Sequence, residues 1–268
     1  MIAATRLVGG SIVTPEGALE QVDVTIVDGR ITGLTSADAP SATTTDTVDV
    51  GGCIVAPGLI DVQINGGWGH DFTGDPTTIA DVAARLPSTG VTAFVPTIVS
   101  STADRRTAAL EAMRELPGER GSAAALGLHF EGPIISPERP GAHNPRHIGV
   151  PDAHELDMWT RDNGVALVTL APETPGAIEL TRQLTDADVV VSIGHSVCST
   201  GEFAAARGAG ASMVTHLFNA MSAFSHRSPG PIGATLADAG IRAGIICDGI
   251  HVDPVAVRMA WRALGAAQ

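Results

Sequence analysis

From residue 59 onward, the sequence alternates short apolar segments with longer segments that fit helices. Strands are predicted at 59–64, 91–96, 123–130, 165–170, 189–194, 211–215 and 241–247, and helices at 77–86, 103–116, 175–184, 203–207 and 254–264. Strands that alternate with helices form parallel sheets, and seven such units in a row favour a TIM-type (β/α) barrel over a doubly wound sheet. A closed barrel of this type has about eight strands, so we predict an α/β barrel that lacks its eighth strand.

The chain before this alternation contains only short segments typical of β-strands. They are predicted at 7–13, 22–27 and 30–34, and Asp28-Gly29 between the last two indicates a tight hairpin turn. We therefore expect two domains: a partial β-sandwich in residues 1–56 and the incomplete barrel in residues 57–268.

Composition narrows the classes of partner. The net charge of −13 argues against nucleic acid or an anionic membrane surface as the main partner, although a local basic group can still bind a small phosphorylated metabolite. The three cysteines, Cys53, Cys198 and Cys247, form no CxxC pair, and the first residues do not resemble a signal peptide. No apolar run reaches the length of a membrane span. We expect a cytoplasmic protein with reduced thiols and no membrane partner.

Three of the predicted strands end in a residue that can bind a metal. Glu131 ends the third strand, and His195 and His216 end the fifth and sixth. Taken alone, Glu131 has a common alternative role as the partner of a surface salt bridge. The carboxyl ends of barrel strands converge on one rim, however, and three protein ligands with an open fourth position are typical of catalytic zinc. Such a metal lowers the pKa of its bound water and polarises a carbonyl, which is the chemistry of hydrolysis.

Further polar residues follow the same strands. Those at loop starts are His143, Asn219, Arg227, Asp248 and His251, although Asp248-Gly249 is equally consistent with a simple turn. Four other histidines, His70, His147, His154 and His226, are predicted to be loop or surface residues. Gly66-Gly67 and the segment 230–233 have glycines that could cradle a phosphate through backbone N–H groups, but such glycines are common in loops.

Several motifs together carry a family resemblance. Residues 55–61, Val-Ala-Pro-Gly-Leu-Ile-Asp, resemble the entry strand of the amidohydrolase superfamily. More specifically, the chain resembles the N-acetylglucosamine-6-phosphate deacetylase family in six motifs, which occur in order at 129–133, 141–145, 194–196, 215–221, 227–230 and 248–253. The resemblance implies hydrolysis of the acetamide of N-acetylglucosamine 6-phosphate to glucosamine 6-phosphate and acetate.

The same resemblance implies roles for individual residues. Glu131, His195 and His216 match the metal ligands, and His143 matches the catalytic residue that polarises the acetyl carbonyl. Contacts to the sugar phosphate are implied for Ala142, His143, Asn219, Ala220, Arg227 and His251. The full-length family member is expected to be a homodimer, because the phosphate ligand at the position of Arg227 can come from a neighbouring subunit.

The resemblance also implies a single divalent ion, zinc. Many amidohydrolases carry His-x-His on the first strand for a second metal, but this chain has Gln63-Ile64-Asn65 there. An amide is a poor ligand for a borderline-soft cation, so we expect one tightly bound ion.

In the family, the general base is an aspartate at the end of the eighth barrel strand, in a Thr-Asp-Ala context. The 268-residue sequence has no such segment after residue 247, so it lacks that catalytic aspartate. Two functional hypotheses follow: a metal-dependent deacetylase, or a catalytically impaired, truncated remnant that binds metal and sugar phosphate without turnover. A related amidohydrolase that acts on a different amide is disfavoured by the sequence around Arg227 and His143.

Overall fold

The structure is a computed structural model that describes residues 4–14, 17–19, 22–36, 46–118 and 120–265. The chain forms two compact units, Met1–Leu59 and Ile60–Gln268. None of the helices within the described residues combines the length and the apolar character needed to span a membrane.

The first unit consists of two small sheets. Its strands are β1 (Ala4–Val8), β2 (Ser11–Thr14), β3 (Gly17–Leu19), β4 (Val22–Val27), β5 (Arg30–Ser36), β6 (Asp46–Asp49) and β7 (Ile54–Val55). One sheet has the order β5-β4-β1-β6 and the other the order β3-β2-β7. The predicted hairpin is confirmed: β4 and β5 pair antiparallel, and Asp28 and Gly29 both have positive φ (50° and 74°), as a tight turn that matches the twist of its strands requires.

The second unit is built from alternating strands and helices. Its strands are β8 (Leu59–Ile64), β9 (Gly66–Gly67), β10 (His70–Asp71), β11 (Val91–Val99), β12 (Ala124–Ala125), β13 (Leu128–Glu131), β14 (Val165–Leu170), β15 (Val190–Ile193), β16 (Met213–Val214) and β17 (Arg242–Ala243). Its α-helices are α1 (Ile79–Arg85), α2 (Ala103–Glu115), α3 (Ala153–Asp157), α4 (Ala177–Asp186), α5 (Thr200–Gly208), α6 (Gly230–Ala237) and α7 (Pro254–Leu264). Short 3-10 helices lie at Pro76–Thr78, Leu86–Thr89 and Pro145–His147.

Seven of these strands follow one another across the main sheet. The order is β8-β11-β13-β14-β15-β16-β17, and the short β12 also pairs with β11, as the first half of the third strand. The pairs from β11 to β17 are parallel. No pairing joins β8 to β17 within the described residues. The predicted seven-stranded (β/α) barrel without an eighth strand is therefore confirmed.

The centre of this sheet is buried because helices pack on its outer face. All residues of β13 and β14 are buried, and Leu128, Phe130, Val165, Val168 and Leu170 of these strands join one hydrophobic cluster with apolar residues of the helices. The largest fully buried side chains of the unit include Phe72, Phe94, Phe130, Trp159, Ile98, Leu170 and Leu184. The parallel order β13-β14-β15-β16 places the carboxyl ends of β13, β15 and β16 along one edge of the sheet.

Some predicted helices have different boundaries, for identifiable local reasons. The helix predicted at 77–86 is a short 3-10 turn followed by α1 and a second 3-10 turn that contains Pro87, which has no N–H to continue an α-helix. The helix predicted at 203–207 begins earlier, at Thr200, because Ser199 and Glu202 form a capping box.

Two helices were not predicted. His154 lies in α3 rather than in a loop, although its side chain is exposed. The segment 230–233, considered above as a phosphate loop, is the first turn of α6.

Two further predictions need correction. The strand predicted at 241–247 is regular only at Arg242–Ala243, where β16 supplies a partner. Gly66-Gly67 is not an open glycine loop, because it pairs with His70–Asp71 in a two-residue ladder. A Cβ at Gly66 would lie 2.1 Å from the carbonyl oxygen of His70, so only glycine lets the two backbone segments come this close.

Candidate metal centre and active site

Three side chains converge at the carboxyl ends of β13, β15 and β16. The Oε1 atom of Glu131 lies 3.2 Å from Nε2 of His195 and 3.0 Å from Nε2 of His216. The two Nε2 atoms are 3.0 Å apart. All three residues belong to one group whose ligand atoms lie within 4.8 Å of each other, and their side chains are nearly inaccessible to solvent. The structure thus brings together the three predicted metal ligands.

The hydrogen bonds of the two imidazole rings determine which nitrogen faces the centre. Nδ1 of His195 lies 2.9 Å from the carbonyl oxygen of Arg139, and Nδ1 of His216 lies 3.1 Å from that of Asn219. A carbonyl can only accept a hydrogen bond, so each Nδ1 carries a proton and donates it. In the neutral rings, both Nε2 atoms therefore present lone pairs to the carboxylate and to each other.

Three lone-pair-bearing atoms packed together need positive charge between them. A divalent ion such as zinc fits this donor set, which combines two imidazole nitrogens with one carboxylate oxygen. The backbone carbonyls that hold the opposite ring nitrogens are the usual outer partners of metal-binding histidines. The residues present therefore fit a metal site.

Glu131 is negatively charged in this setting. Burial by itself raises the pKa of its carboxyl group, but the three surrounding histidines, His143, His195 and His216, outweigh that effect and hold the pKa well below its usual range. The side-chain amide of Gln63 also donates to Oε1 of Glu131, at 2.7 Å. Gln63 therefore contacts the proposed ligand rather than contributing a basic ligand atom of its own.

His143 approaches the same carboxylate from another loop. Its Nε2 atom lies 3.6 Å from Oε2 of Glu131. Its Nδ1 atom accepts a hydrogen bond from the backbone N–H of Ser100 (3.2 Å) and lies 2.7 Å from the Ser100 hydroxyl. In the neutral ring, the proton is therefore on Nε2, which faces the centre as a hydrogen-bond donor. Gly141, two residues before His143, lies against the ring of His195, where a Cβ would be only 2.9 Å from Cε1.

The loops that carry the two histidines adopt an unusual backbone conformation. Among non-glycine residues, His195 (φ 47°), His216 (φ 34°), Phe218 (φ 81°) and Ala220 (φ 50°) have positive φ. Such conformations are uncommon for non-glycine residues and persist where the surrounding structure holds them. Cross-loop hydrogen bonds do so here: the N–H of Ser196 donates to the carbonyl of Ala220 at 3.1 Å.

A buried polar network lies one step below the ligands on the inner face of the sheet. His129, two residues before Glu131, has Nε2 at 2.7 Å from Oγ1 of Thr169 and Nδ1 at 3.2 Å from Oγ1 of Thr97. Thr169 and Ser192 both contact Oγ1 of Thr215, at 2.7 and 2.6 Å. Burial lowers the pKa of His129 to about 4, so its ring is neutral at pH 7. Only the two-residue spacing from Glu131 could have suggested this interior position.

The remaining predicted residues lie around this centre with fewer contacts. Asn219 provides the carbonyl that holds His216, and its Nδ2 atom is buried without a hydrogen-bond partner within the described structure. Ala220 is half-buried, and Ala142 and Arg227 are exposed. His251 is exposed and pairs through Nδ1 with Oδ2 of Asp248, at 2.6 Å.

Asp248 both closes a turn and faces a cavity. It accepts hydrogen bonds from the backbone N–H groups of His251 and Ile250, which, together with the His251 side chain, lower its pKa to about 2. A cavity of about 540 Å³ between β8 and the residues after β17 is lined by Gln63, Asn65, His216 and Asp248, among others. The cavity therefore connects the predicted ligand His216 to the open side of the sheet.

Comparison with known proteins gives a consistent result. No family model matches the chain. It is 44% identical to the N-acetylglucosamine-6-phosphate deacetylase of Bos taurus over 228 residues, which are 80% of this chain and 56% of that protein. It is 35% identical to the enzyme of the same name from Bacillus subtilis over 265 residues, which are 96% of this chain and 67% of that protein.

The fold agrees with this similarity. The crystal structure of N-acetylglucosamine-6-phosphate deacetylase from Pasteurella multocida superposes with a TM-score of 0.90 at 30% identity, over 98% of this chain and 69% of that one. The chain thus spans little more than half of the cattle relative's length and about two thirds of the two bacterial proteins. It belongs to the N-acetylglucosamine-6-phosphate deacetylase family.

Proposed function

We propose that this protein hydrolyses the acetamide of N-acetylglucosamine 6-phosphate, releasing acetate and glucosamine 6-phosphate. The observation that carries the proposal is the convergence of Glu131, His195 and His216 on one point beside the Nε2 donor of His143. Hydrolysis of an amide needs both a site of positive charge and a hydrogen-bond donor next to the carbonyl, and this arrangement offers both.

The proposed ligands of one zinc ion are Glu131, His195 and His216. When bound, such an ion polarises a carbonyl and makes water a nucleophile near neutral pH. Gln63 supports a single-ion site, because its amide donates to the Glu131 carboxylate instead of providing a ligand for a second cation.

The proposed catalytic role of His143 is to donate a hydrogen bond from Nε2 to the acetyl oxygen. Ser100 fixes the ring in the required tautomer through its backbone N–H. A donor placed in advance costs little reorganisation when negative charge develops on that oxygen, and the loss of one such donor typically lowers kcat by about 10²–10³-fold.

Recognition of the sugar phosphate is assigned to residues around the centre. Arg227 is exposed on the loop after β16, and its guanidinium suits bidentate binding of phosphate, in its own site or in that of a second subunit of a homodimer. Asn219, whose buried Nδ2 donor has no partner within the described structure, is proposed to contact the sugar. Further contacts are proposed for Ala142, Ala220 and His251. We also propose a cytoplasmic location, with neither nucleic acid nor membrane as a partner.

The alternative, a remnant that binds metal and sugar phosphate without turnover, is not favoured. The chain aligns with a named deacetylase over 96% of its length. The family resemblance implies that an aspartate on an eighth strand serves as general base and then protonates the leaving amine. The proposed activity therefore requires an eighth strand that carries this aspartate.

The test measures acetate release by the zinc-loaded protein from N-acetylglucosamine 6-phosphate and from N-acetylglucosamine. We expect the phosphorylated sugar to be the preferred substrate. The Arg227→Ala variant should lose about 2–4 kcal/mol of apparent binding to it, the scale of a lost charged contact, with little effect on the unphosphorylated sugar. Equal losses on both sugars would refute the phosphate role.

A second variant tests the catalytic histidine. His143→Gln should lower kcat by about 10²–10³-fold while the zinc content stays the same. The matched control is His154→Gln, which changes an exposed histidine of α3 and should leave both quantities unchanged. A His143→Gln variant with wild-type kcat would contradict the proposed role.

A further inference from the structure

We propose that Glu173 is a positioning residue that holds the loops of both metal-binding histidines in the geometry that binds the ion. This inference rests on the metal site proposed above. Glu173 lies in the loop after β14, three residues beyond its last residue, and its side chain reaches the segment that directly follows His195.

Both carboxylate oxygens of Glu173 are engaged by that segment. Oε2 accepts a hydrogen bond from the hydroxyl of Ser196, and Oε1 accepts one from the backbone N–H of Val197, each at 2.7 Å. The Ser196 hydroxyl also accepts from the N–H of Cys198 at 3.0 Å, so its proton is directed towards Glu173. Hydrogen bonds to an ionised carboxylate are shorter and stronger than those between neutral groups.

The held segment needs such support because His195 is strained. Its φ of 47° lies in the left-handed region, where a side chain with a Cβ is disfavoured. On the N-terminal side of His195, the N–H of Gly194 donates to the carbonyl of Leu170 at 3.1 Å, and the carbonyl of His195 itself accepts from the N–H of Ser136 at 2.9 Å. The two hydrogen bonds that Glu173 accepts fix Ser196 and Val197, which follow His195, so they complete the restraint on the backbone that orients the imidazole.

The same restraint extends to the loop of His216. The N–H of Ser196 donates to the carbonyl of Ala220, and the carbonyl of Ser196 accepts from the N–H of Ser222, both at 3.1 Å. Ser196 is fully buried between these partners. Because Asn219, next to Ala220, provides the carbonyl that orients His216, Glu173 acts through Ser196 on both histidine ligands.

Glu173 itself is not one of the clustered ligands. The group of ligand atoms within 4.8 Å of each other consists of Glu131, His195 and His216 among the described residues. Outer residues of this kind typically change metal affinity by about 10–100-fold when they are removed. The effect of Glu173 should therefore appear in metal affinity and not in the number of ions bound.

The experiment measures the Kd for zinc by competition with a chromogenic chelator, together with thermal unfolding of the metal-free protein. Glu173→Ala should raise the Kd by about 10–100-fold at an unchanged capacity of one ion, and Glu173→Gln, which keeps one acceptor, should raise it less. Glu179→Ala, which removes an exposed carboxylate of α4, is the matched control and should leave the Kd unchanged.

If Glu173→Ala does not fold, Ser196→Ala removes one of the two bonds and should raise the Kd by a smaller factor. A wild-type Kd in the folded Glu173→Ala variant, or in Ser196→Ala where only that variant folds, would overturn the inference, even with a lowered unfolding temperature. That result would leave the proposed function intact. Failure of the unaltered protein to bind zinc would instead refute the metal site, and this inference with it.

Discussion

Two strands of the same sheet, β14 and β8, have similar apolar sequences but different surroundings. Every residue of β14 is buried, whereas Leu59 and Ile60 of β8 are each 61% exposed. β14 pairs with a neighbour on each side, and β8 pairs only with β11 among the described strands. An apolar sequence therefore predicts a strand, but only the position in the sheet decides whether its side chains are buried.

The candidate functional residues also fall into two groups, one held by hydrogen bonds between loops and one exposed. The loops after β13, β14, β15 and β16 are joined by hydrogen bonds that the Glu173 carboxylate and the carbonyls of Arg139 and Ala220 accept, and these loops hold the proposed metal ligands. The residues between β17 and α7 are irregular, and 246–251, which include Asp248 and His251, are exposed. We call the loops after β13, β14, β15 and β16 the braced side and residues 244–253 the open side. Metal binding by the braced side should not depend on substitutions on the open side.

The largest effect is expected from removing ligands on the braced side. The double variant His195→Ala/His216→Ala should lose its zinc, about one equivalent in the unaltered protein, because one carboxylate is left to hold the ion. The measurement is metal analysis after dialysis. The matched control, Asp248→Ala/His251→Ala on the open side, should keep its zinc. Equal metal content in the two double variants would contradict the assignment of the metal ligands to the braced side.

The next prediction concerns an added eighth strand beside β8, which pairs only with β11 among the described strands. Extending the chain with the C-terminal third of the Bacillus subtilis relative should raise deacetylation by about 10²–10⁴-fold, the contribution of a positioned general base. The 268-residue chain alone should be less stable than the extended chain, because β8 exposes apolar side chains and pairs only with β11 among the described strands.

The control for that extension carries Asn in place of the catalytic aspartate. It should match the extended chain in stability and zinc content, measured by urea denaturation and metal analysis, without the gain in turnover. If the 268-residue chain proves as stable and as fast as the extended one, the interpretation of β8 as an open edge is wrong.

A pair of truncations compares the two strands directly. Leu170→Ala in β14 should reduce the free energy of unfolding by about 2–5 kcal/mol, because it leaves a cavity in a fully buried site. Ile60→Ala in β8 should cost less than about 1 kcal/mol, since most of that side chain is already in water. Urea denaturation measures both values. Equal costs would indicate that β8 is covered in solution.

The smallest effect is expected at an ion pair near β17. Arg207 donates to Asp238 at 2.7 Å, and this hydrogen bond lowers the pKa of the Asp238 carboxyl. A lowered pKa means that the pair stabilises the fold above the unfolded-state pKa of about 3.9 and that this contribution is lost as the pH falls through the folded-state value. Asp238→Asn should therefore cost about 0–1 kcal/mol at pH 7 and less at pH 3. A cost that is independent of pH would exclude the charge as its cause.

Prediction of the elements succeeded where the signal was local and periodic. The apolar runs that precede Glu131, His195 and His216 predicted both the strands and the convergence of their ends. Prediction failed where the length of a strand depends on its neighbour in the sheet. β17 is regular for only two residues because β16 pairs with it at those two positions alone. Helix α5 starts at Thr200, three residues before the predicted start, because Ser199 and Glu202 form a capping box ahead of the apolar residues that predicted the helix.

The sequence by itself determined the (β/α) alternation, the family and the identity of the three proposed ligands. Only the tertiary structure decided the tautomers of the histidines, the hydrogen bond from Gln63 to Glu131 and the restraint by Glu173. The physical reason is that these bonds join residues far apart in the chain, such as Gln63 and Glu131 with a separation of 68 positions. Their geometry depends on how the strands pack side by side, which no local pattern encodes.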